Sequence, residues 1–349
     1  MKMILRLTLV CFAACFLCAC AGRNKKIPVT HSQIKMGAPL DELSRSVLAE
    51  KPKGILQAEK AKPFRFKKEQ NCRALFTVAI NATEPCLFSL NTASGMTFVN
   101  SEHPSYEKLF TKAKRRHVVD AEQAGVVHKD AFVIYQADTM HFGDIALQGV
   151  NFQFKVSDTE DRDIFDRTVL NMCGGMGTSA LASLVVTVDY PNEKISFLPP
   201  ALAVMKSTPI ASFPLSIRPE AGNIPMMQLS FGNGKKALFR FDTATSEALL
   251  LNDATALDVD LVSDADGIYD VEAVGVPGLS LGPVRGARTV QKYNVAGCGL
   301  FQKYKVTIDY PARRVYLENS VREEPNPDEP SYSISDLMRD GKVPMVSPF

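Results

Sequence analysis

Through the middle of the chain apolar and polar residues alternate over short runs, the signature of strands that bury one face. The clearest runs are Phe76-Thr77-Val78-Ala79-Ile80 and Met227-Gln228-Leu229-Ser230-Phe231. Turn residues follow each, Asn81-Ala82-Thr83-Glu84-Pro85 and Gly232-Asn233-Gly234-Lys235, and then another apolar run. The Asn-Gly pair of the second turn predicts a type I′ hairpin, which needs two positive φ values. Ser105 to Lys114 reads as a helix, and so does a shorter stretch from Leu40 to Leu48 ahead of the repeats. The expected fold class is mostly β.

The pattern occurs twice, and internal repeats govern the reading of a whole fold. Leu87-Phe88-Ser89-Leu90-Asn91-Thr92-Ala93-Ser94 aligns with Leu238-Phe239-Arg240-Phe241-Asp242-Thr243-Ala244-Thr245. Further on, Val186-Thr187-Val188-Asp189-Tyr190-Pro191 aligns with Val306-Thr307-Ile308-Asp309-Tyr310-Pro311, and Ile195 or Val315 opens a last strand. Between these matches both copies carry an apolar-Gly turn, Phe142-Gly143-Asp144 and Leu281-Gly282-Pro283. Each then has a glycine cluster, Gly174-Gly175-Met176-Gly177 and Gly297-Cys298-Gly299. The first copy is longer, with 98 residues from Asn91 to Asp189 against 67 from Asp242 to Asp309. The excess is expected in a loop around residues 102–129, rich in Lys, Arg and His. Residues 69–200 and 201–318 are therefore expected to form two similar lobes.

A strand ending in apolar-Asp-Thr-small-small, repeated once per half, resembles the retropepsin-like bacterial members of the aspartic peptidase superfamily. Their pattern runs apolar-Asp-Thr-Gly-Ala-Ser, then an apolar-Gly turn, a Gly-apolar-apolar-Gly segment and an apolar-Asp-Tyr-Pro strand. The resemblance spans roughly residues 70–318. It implies a bilobal pepsin- or retropepsin-like fold of two β-barrel lobes, each giving one aspartate to the floor of a cleft. Such a pair shares one proton: the ionised acid takes a proton from water while the protonated one donates to the peptide carbonyl. By position, Asp242 matches one catalytic acid, and Thr243 and Thr92 match the hydroxyls that brace the two loops. Ala244, Thr245, Ala93 and Ser94 complete the motifs, with alanine where the family has glycine.

The other acid position holds Asn91, a departure from the family. A carboxamide neither gains nor loses a proton near neutral pH, and losing an acid/base partner costs about 10²–10⁴ in rate. The expectation is an impaired dyad whose cleft binds an extended peptide or unfolded protein segment by strand addition. Two alternatives stand beside it. An active aspartic endopeptidase would arise if two chains paired Asp242 with its symmetry mate. A structural envelope protein would use lobes and tail as an interaction surface. Asn91 and Asp242 also have the ordinary reading of turn-capping residues. Asp189 and Asp309 read as acids that bond backbone at a strand end. His103, His117 and His128 share no helix face, so neither a metal site nor a cofactor is expected. Lys112 to Arg116 reads as a solvated face, and Gly232 to Lys236 lacks the spacing of a phosphate loop.

The ends of the chain place it in a cell. Lys2 and Arg6 precede an apolar run from Leu7 to Ala19, thirteen residues and too short for a bilayer core of about 30 Å. Leu17-Cys18-Ala19-Cys20 resembles the lipobox of bacterial lipoproteins, which makes residues 1–20 a signal peptide and Cys20 the lipidated residue. Ala21 after that cysteine implies the periplasmic face of the outer membrane. A Lys-rich tether is expected over residues 21–68, attracted weakly to anionic headgroups. Residues 319–349 read as an acidic, Pro-rich, extended tail. The whole chain of 349 residues is 46% hydrophobic with a net charge of only +2, globular and without the basic surplus of a nucleic-acid binder. Of eight cysteines, Cys72, Cys86, Cys173 and Cys298 lie in the folded part, where export permits disulfides. Cys72 and Cys86 flank a predicted hairpin that a bridge would suit. Cys173 and Cys298 can meet only if the halves pack together, and free buried thiols remain the other reading of each pair.

Overall fold

The computed structural model describes residues 50–57, 63–69, 72–81, 85–100, 113–119, 132–155, 172–203, 208–218, 224–291 and 293–324. The signal segment with Cys20, most of the tether, the predicted helix up to residue 112, His103, His128 and the tail beyond residue 324 lie outside them. In chain order the first strands are β1 (Gly54–Gln57), β2 (Phe64–Arg65), β3 (Lys67–Glu69), β4 (Arg73–Ile80) and β5 (Cys86–Leu90). They continue with β6 (Thr97–Asn100), β7 (Lys114–Val119), β8 (Phe132–Phe142), β9 (Ile145–Lys155) and β10 (Gly174–Met176). A short helix, α1 (Thr178–Leu181), leads to β11 (Val185–Asp189) and β12 (Lys194–Leu198). The second half has β13 (Ala211–Pro214), β14 (Ser216–Arg218), β15 (Ile224–Phe231), β16 (Lys236–Asp242), β17 (Leu249–Leu251) and α2 (Asp253–Asp258). It ends with β18 (Ile268–Val276), β19 (Leu279–Arg288), β20 (Asn294–Gly297), β21 (Tyr304–Asp309) and β22 (Arg314–Asn319).

These strands make two barrel-like lobes and a sheet shared between them. The first lobe is ordered β1-β9-β6-β10-β5-β4-β8-β7, with β8 also pairing β9. The second is β14-β15-β16-β20-β17-β19-β18, closed by β15 on β18. The duplication extends to the register. Strand β5 lies parallel to β10 as β16 lies parallel to β20, and β6 lies parallel to β9 as β17 lies parallel to β19. The shared sheet runs β13-β22-β21-β11-β12-β2. At its centre Thr187 pairs with Thr307, their hydroxyl oxygens 3.0 Å apart, on the pseudo-twofold axis that relates the halves. The mostly β, two-lobed acid-protease-type architecture is thus present in the topology itself.

Alternation sets the core. On β16 Phe239 and Phe241 are fully buried while Arg240 and Asp242 face the other way. Aromatic rings join the shared sheet to the first lobe: Phe197 on β12 packs on Phe142 at 4.8 Å and on Phe76 at 5.2 Å between centroids. A disulfide links Cys86 to Cys173 inside this lobe.

The structure corrects several expectations. The last part of the predicted tether is folded, since β1 pairs with β9, β2 with β12 and β3 with β4. The predicted apolar-Gly turns are not equivalent: Gln153 on β9 matches Ala287 on β19, so Gly282, with φ +88°, corresponds to Gln148, and Gly149, with φ +65°, to Pro283. Gly143 instead occupies the β8–β9 turn. The extra length of the first copy is split, with 57 residues from Asn91 to Gln148 against 40 from Asp242 to Gly282. The remainder falls between Gln148 and Gly177, 29 residues against 15 between Gly282 and Gly297. Part of the predicted loop is strand β7, which carries His117 and exposes Lys114 and Arg115, and which has no counterpart among the described residues of the second lobe. The Gly232–Lys235 turn has a positive φ only at Gly234, so it is a three-residue loop with one left-handed glycine rather than type I′.

Candidate functional site

The two motif loops begin where β5 and β16 end, and glycine brings them close to the strands they cross. A Cβ on Gly177 would lie 2.3 Å from the Met96 carbonyl oxygen, and one on Gly297 would lie 2.1 Å from that of Glu247. These two glycines are counterparts, so the clusters align at Gly177 and Gly297. Behind each, an amide donates to the motif loop, Thr178 N to Ser94 O at 2.8 Å and Cys298 N to Thr245 O at 2.9 Å.

Between the lobes the two threonines form a reciprocal lattice. Thr92 Oγ1 donates to Phe241 O at 2.8 Å and accepts from Thr243 N at 3.0 Å. Thr243 Oγ1 donates to Leu90 O at 2.9 Å and accepts from Thr92 N at 3.3 Å. Both side chains are buried, so the four bonds are shielded from competing water. Asn91 and Asp242, each adjacent to one of these threonines, therefore flank the pseudo-twofold axis, one in each loop.

Their surroundings differ. Asp242 Oδ1 accepts from Ala244 N and its Oδ2 accepts from Thr245 Oγ1, both at 2.8 Å. The carboxylate thus caps its own turn, as an ordinary turn residue does, while standing at the lobe junction. In the first loop Ser94, the counterpart of Thr245, donates its hydroxyl to Met96 O at 2.5 Å instead of turning to Asn91. Ala93 is buried and Ala244 half-buried, and neither has a positive φ, so the backbone here does not require the glycine of the family pattern.

Several residues at the site escaped sequence reasoning. Arg73, at the start of β4 in the first lobe, donates Nε to Ala244 O at 2.9 Å in the second-lobe loop. Beside it Cys72 is bridged to Cys298, so the disulfides are Cys72–Cys298 and Cys86–Cys173 rather than a Cys72–Cys86 hairpin staple. Adjacent Cys-Arg at a strand start is the one signal that sequence offered. Tyr190 is fully buried, and burial together with the Asp242 charge pushes its phenol well above the ordinary tyrosine value. Tyr310, its counterpart, is raised by burial alone. Asp189 and Asp309 end β11 and β21 and accept from Asn192 N and Ala312 N in the turns that follow. Asp189 also accepts from Ser320 Oγ at 2.6 Å, fastening the chain after β22 to the first lobe. Among the described residues no three His, Cys, Asp or Glu side chains are grouped to hold a metal ion.

No family model and no curated protein matches this chain. The solved structures similar to it include the crystal structure of an aspartic proteinase from Irpex lacteus, 13% identical with a TM-score of 0.48. That match covers 75% of this chain and 98% of the other. The fold assignment rests on the duplicated topology and the threonine lattice rather than on this likeness.

Proposed function

We propose that this protein is a lipid-anchored envelope protein whose interlobe cleft binds an extended peptide or unfolded segment and whose hydrolytic dyad is incomplete. The observation that supports the reading is the threonine lattice, in which Thr92 and Thr243, the residues after Asn91 and Asp242, make reciprocal bonds between the two loops. A carboxylate opposite a carboxamide has no proton to share, so the general-acid half of peptide hydrolysis is missing. The same pair still offers a donor and acceptors to a main-chain amide. Export is supported by two disulfides, which persist in oxidising compartments. The endopeptidase alternative needs a second chain to displace the first lobe from Asp242. That displacement would break the lattice, the Arg73 bond and the Cys72–Cys298 bridge.

The test is binding without cleavage. Mature protein titrated into fluorescently labelled, unfolded casein is expected to raise its anisotropy saturably while the casein stays intact on a gel. Absence of binding across pH 3–7, or cleavage abolished by Asp242→Ala, overturns the proposal.

A further inference from the structure

The pseudo-symmetry of the lobes breaks at the start of β4. Phe76 pairs with Phe88 as Met227 pairs with Phe239, so the counterpart of Arg73 on β4 is Ile224 on β15. Ile224 is a core residue, buried with Met226 against Leu238 and Tyr293. Arg73 instead reaches across to the other lobe, where its Nε donates to Ala244 O at 2.9 Å. That carbonyl belongs to the residue whose amide caps Asp242, so the guanidinium is fixed on the Asp242 loop. The Cys72–Cys298 bridge holds the main chain one residue before Arg73, and Cys298 N bonds the same loop at Thr245 O. The arginine is half-buried, and its Nη amines bond nothing among the described residues and stay open to solvent. Two acids lie on that loop, yet neither closes on the guanidinium. Asp242 accepts from Ala244 N and Thr245 Oγ1, and Glu247 accepts from Ser246 Oγ.

We propose that Arg73 is a specificity-determining residue of the interlobe site and that it selects peptides bearing a carboxylate, supplied by an Asp or Glu side chain or by a C-terminus. A guanidinium is a planar fork of N–H donors, and Ala244 O takes only the one on Nε. The Nη amines left over match the two oxygens of a carboxylate, and charge-assisted bonds of that kind are about twice as strong as neutral ones. Anchored at Nε and beside a disulfide, the fork loses little rotamer freedom when a ligand arrives. Asp242 and Glu247 repel a further anion on their own side of the loop, so the preference is for one carboxylate at Arg73 rather than for general acidity. The inference rests on the peptide-binding reading and deepens it by naming the ligand class.

Competition against fluorescently labelled, unfolded casein tests it with unlabelled decapeptides, acetylated and amidated at their ends. A peptide of neutral residues is the control, one Glu is moved through its positions in turn, and a further neutral peptide keeps a free C-terminal carboxylate. Wild type is expected to bind at least one acidic peptide about 10-fold tighter than the control, and which peptide does so separates a side-chain carboxylate from a terminal one. In Arg73→Gln the gap is expected to shrink to within about 2-fold, with Arg73→Lys, which keeps the charge without the fork, in between. Equal binding of acidic and neutral peptides by wild type, or a preference that survives Arg73→Gln, overturns the assignment and leaves peptide binding standing. Absence of both casein and peptide binding overturns the two readings together. Should Arg73→Gln fail to fold, Arg73→Lys decides: a reduced preference supports the fork and an undiminished one overturns it.

Discussion

At the scale of single residues, two threonine hydroxyls carry more of the interlobe junction than their size suggests. Each satisfies one carbonyl and one amide from the opposite loop, and an unsatisfied buried backbone group costs about 1–3 kcal/mol. Thr92→Val keeps the shape and removes both bonds of one hydroxyl, so it is expected to lower unfolding free energy by about 2–4 kcal/mol in a denaturant titration. A loss below about 0.5 kcal/mol, the size of an ordinary surface change, contradicts the lattice. The buried phenols add a pH dependence. Folded Tyr190 and Tyr310 hold their protons above the value near 10.0 where the unfolded chain releases them. The folded state therefore binds more protons at alkaline pH, and stability falls as pH rises past about 10. Denaturation midpoints measured from about pH 8 to 11 are expected to hold and then decline; no decline contradicts the burial.

Among the elements, the strands and their duplication were legible because alternation is a local signal and both copies preserve it. The Asp-Tyr-Pro turns were legible as structural acids, and the backbone bonds of Asp189 and Asp309 agree. The crossing of β5 with β10 was not, since parallel pairing over 86 residues leaves no periodic trace. The glycine clusters were matched one cluster to another, but only the register of β10 on β5 and of β20 on β16 identifies Gly177 and Gly297 as the pair. Strand β7 was hidden because its basic sequence, Lys-Arg-Arg-His, has a solvated character that suits an edge strand as well as a loop. Arg240 lay within the quoted motif itself, yet its placement over the Tyr293 ring becomes visible only when the pairing of β16 with β20 is known.

For the whole molecule, the halves are tied at several levels: the β11–β21 pairing, the threonine lattice, Arg73 and the Cys72–Cys298 bridge. That bridge links residues 226 apart, and removing a native disulfide typically costs about 2–5 kcal/mol. A Cys72→Ala/Cys298→Ala protein is expected to lose stability in that range when unfolded by urea, and an unchanged midpoint contradicts the bridge. Sequence alone left the cysteine pairing open, because four cysteines allow three connectivities and only the contact between lobes selects one. These ties keep the Asp242 loop with its own first lobe, leaving Asn91 as its neighbour.

The central claim, that Asn91 occupies the second acid position of an otherwise formed cleft, is tested most directly by restoring the acid. Cleavage of unfolded casein is followed for wild type and Asn91→Asp from pH 3 to 7. The account predicts no cleavage by wild type and acid-optimum cleavage by Asn91→Asp that a second change, Asp242→Ala, removes. Cleavage by wild type as fast as by the variant, or a folded variant that binds casein and leaves it intact at every pH, would contradict it.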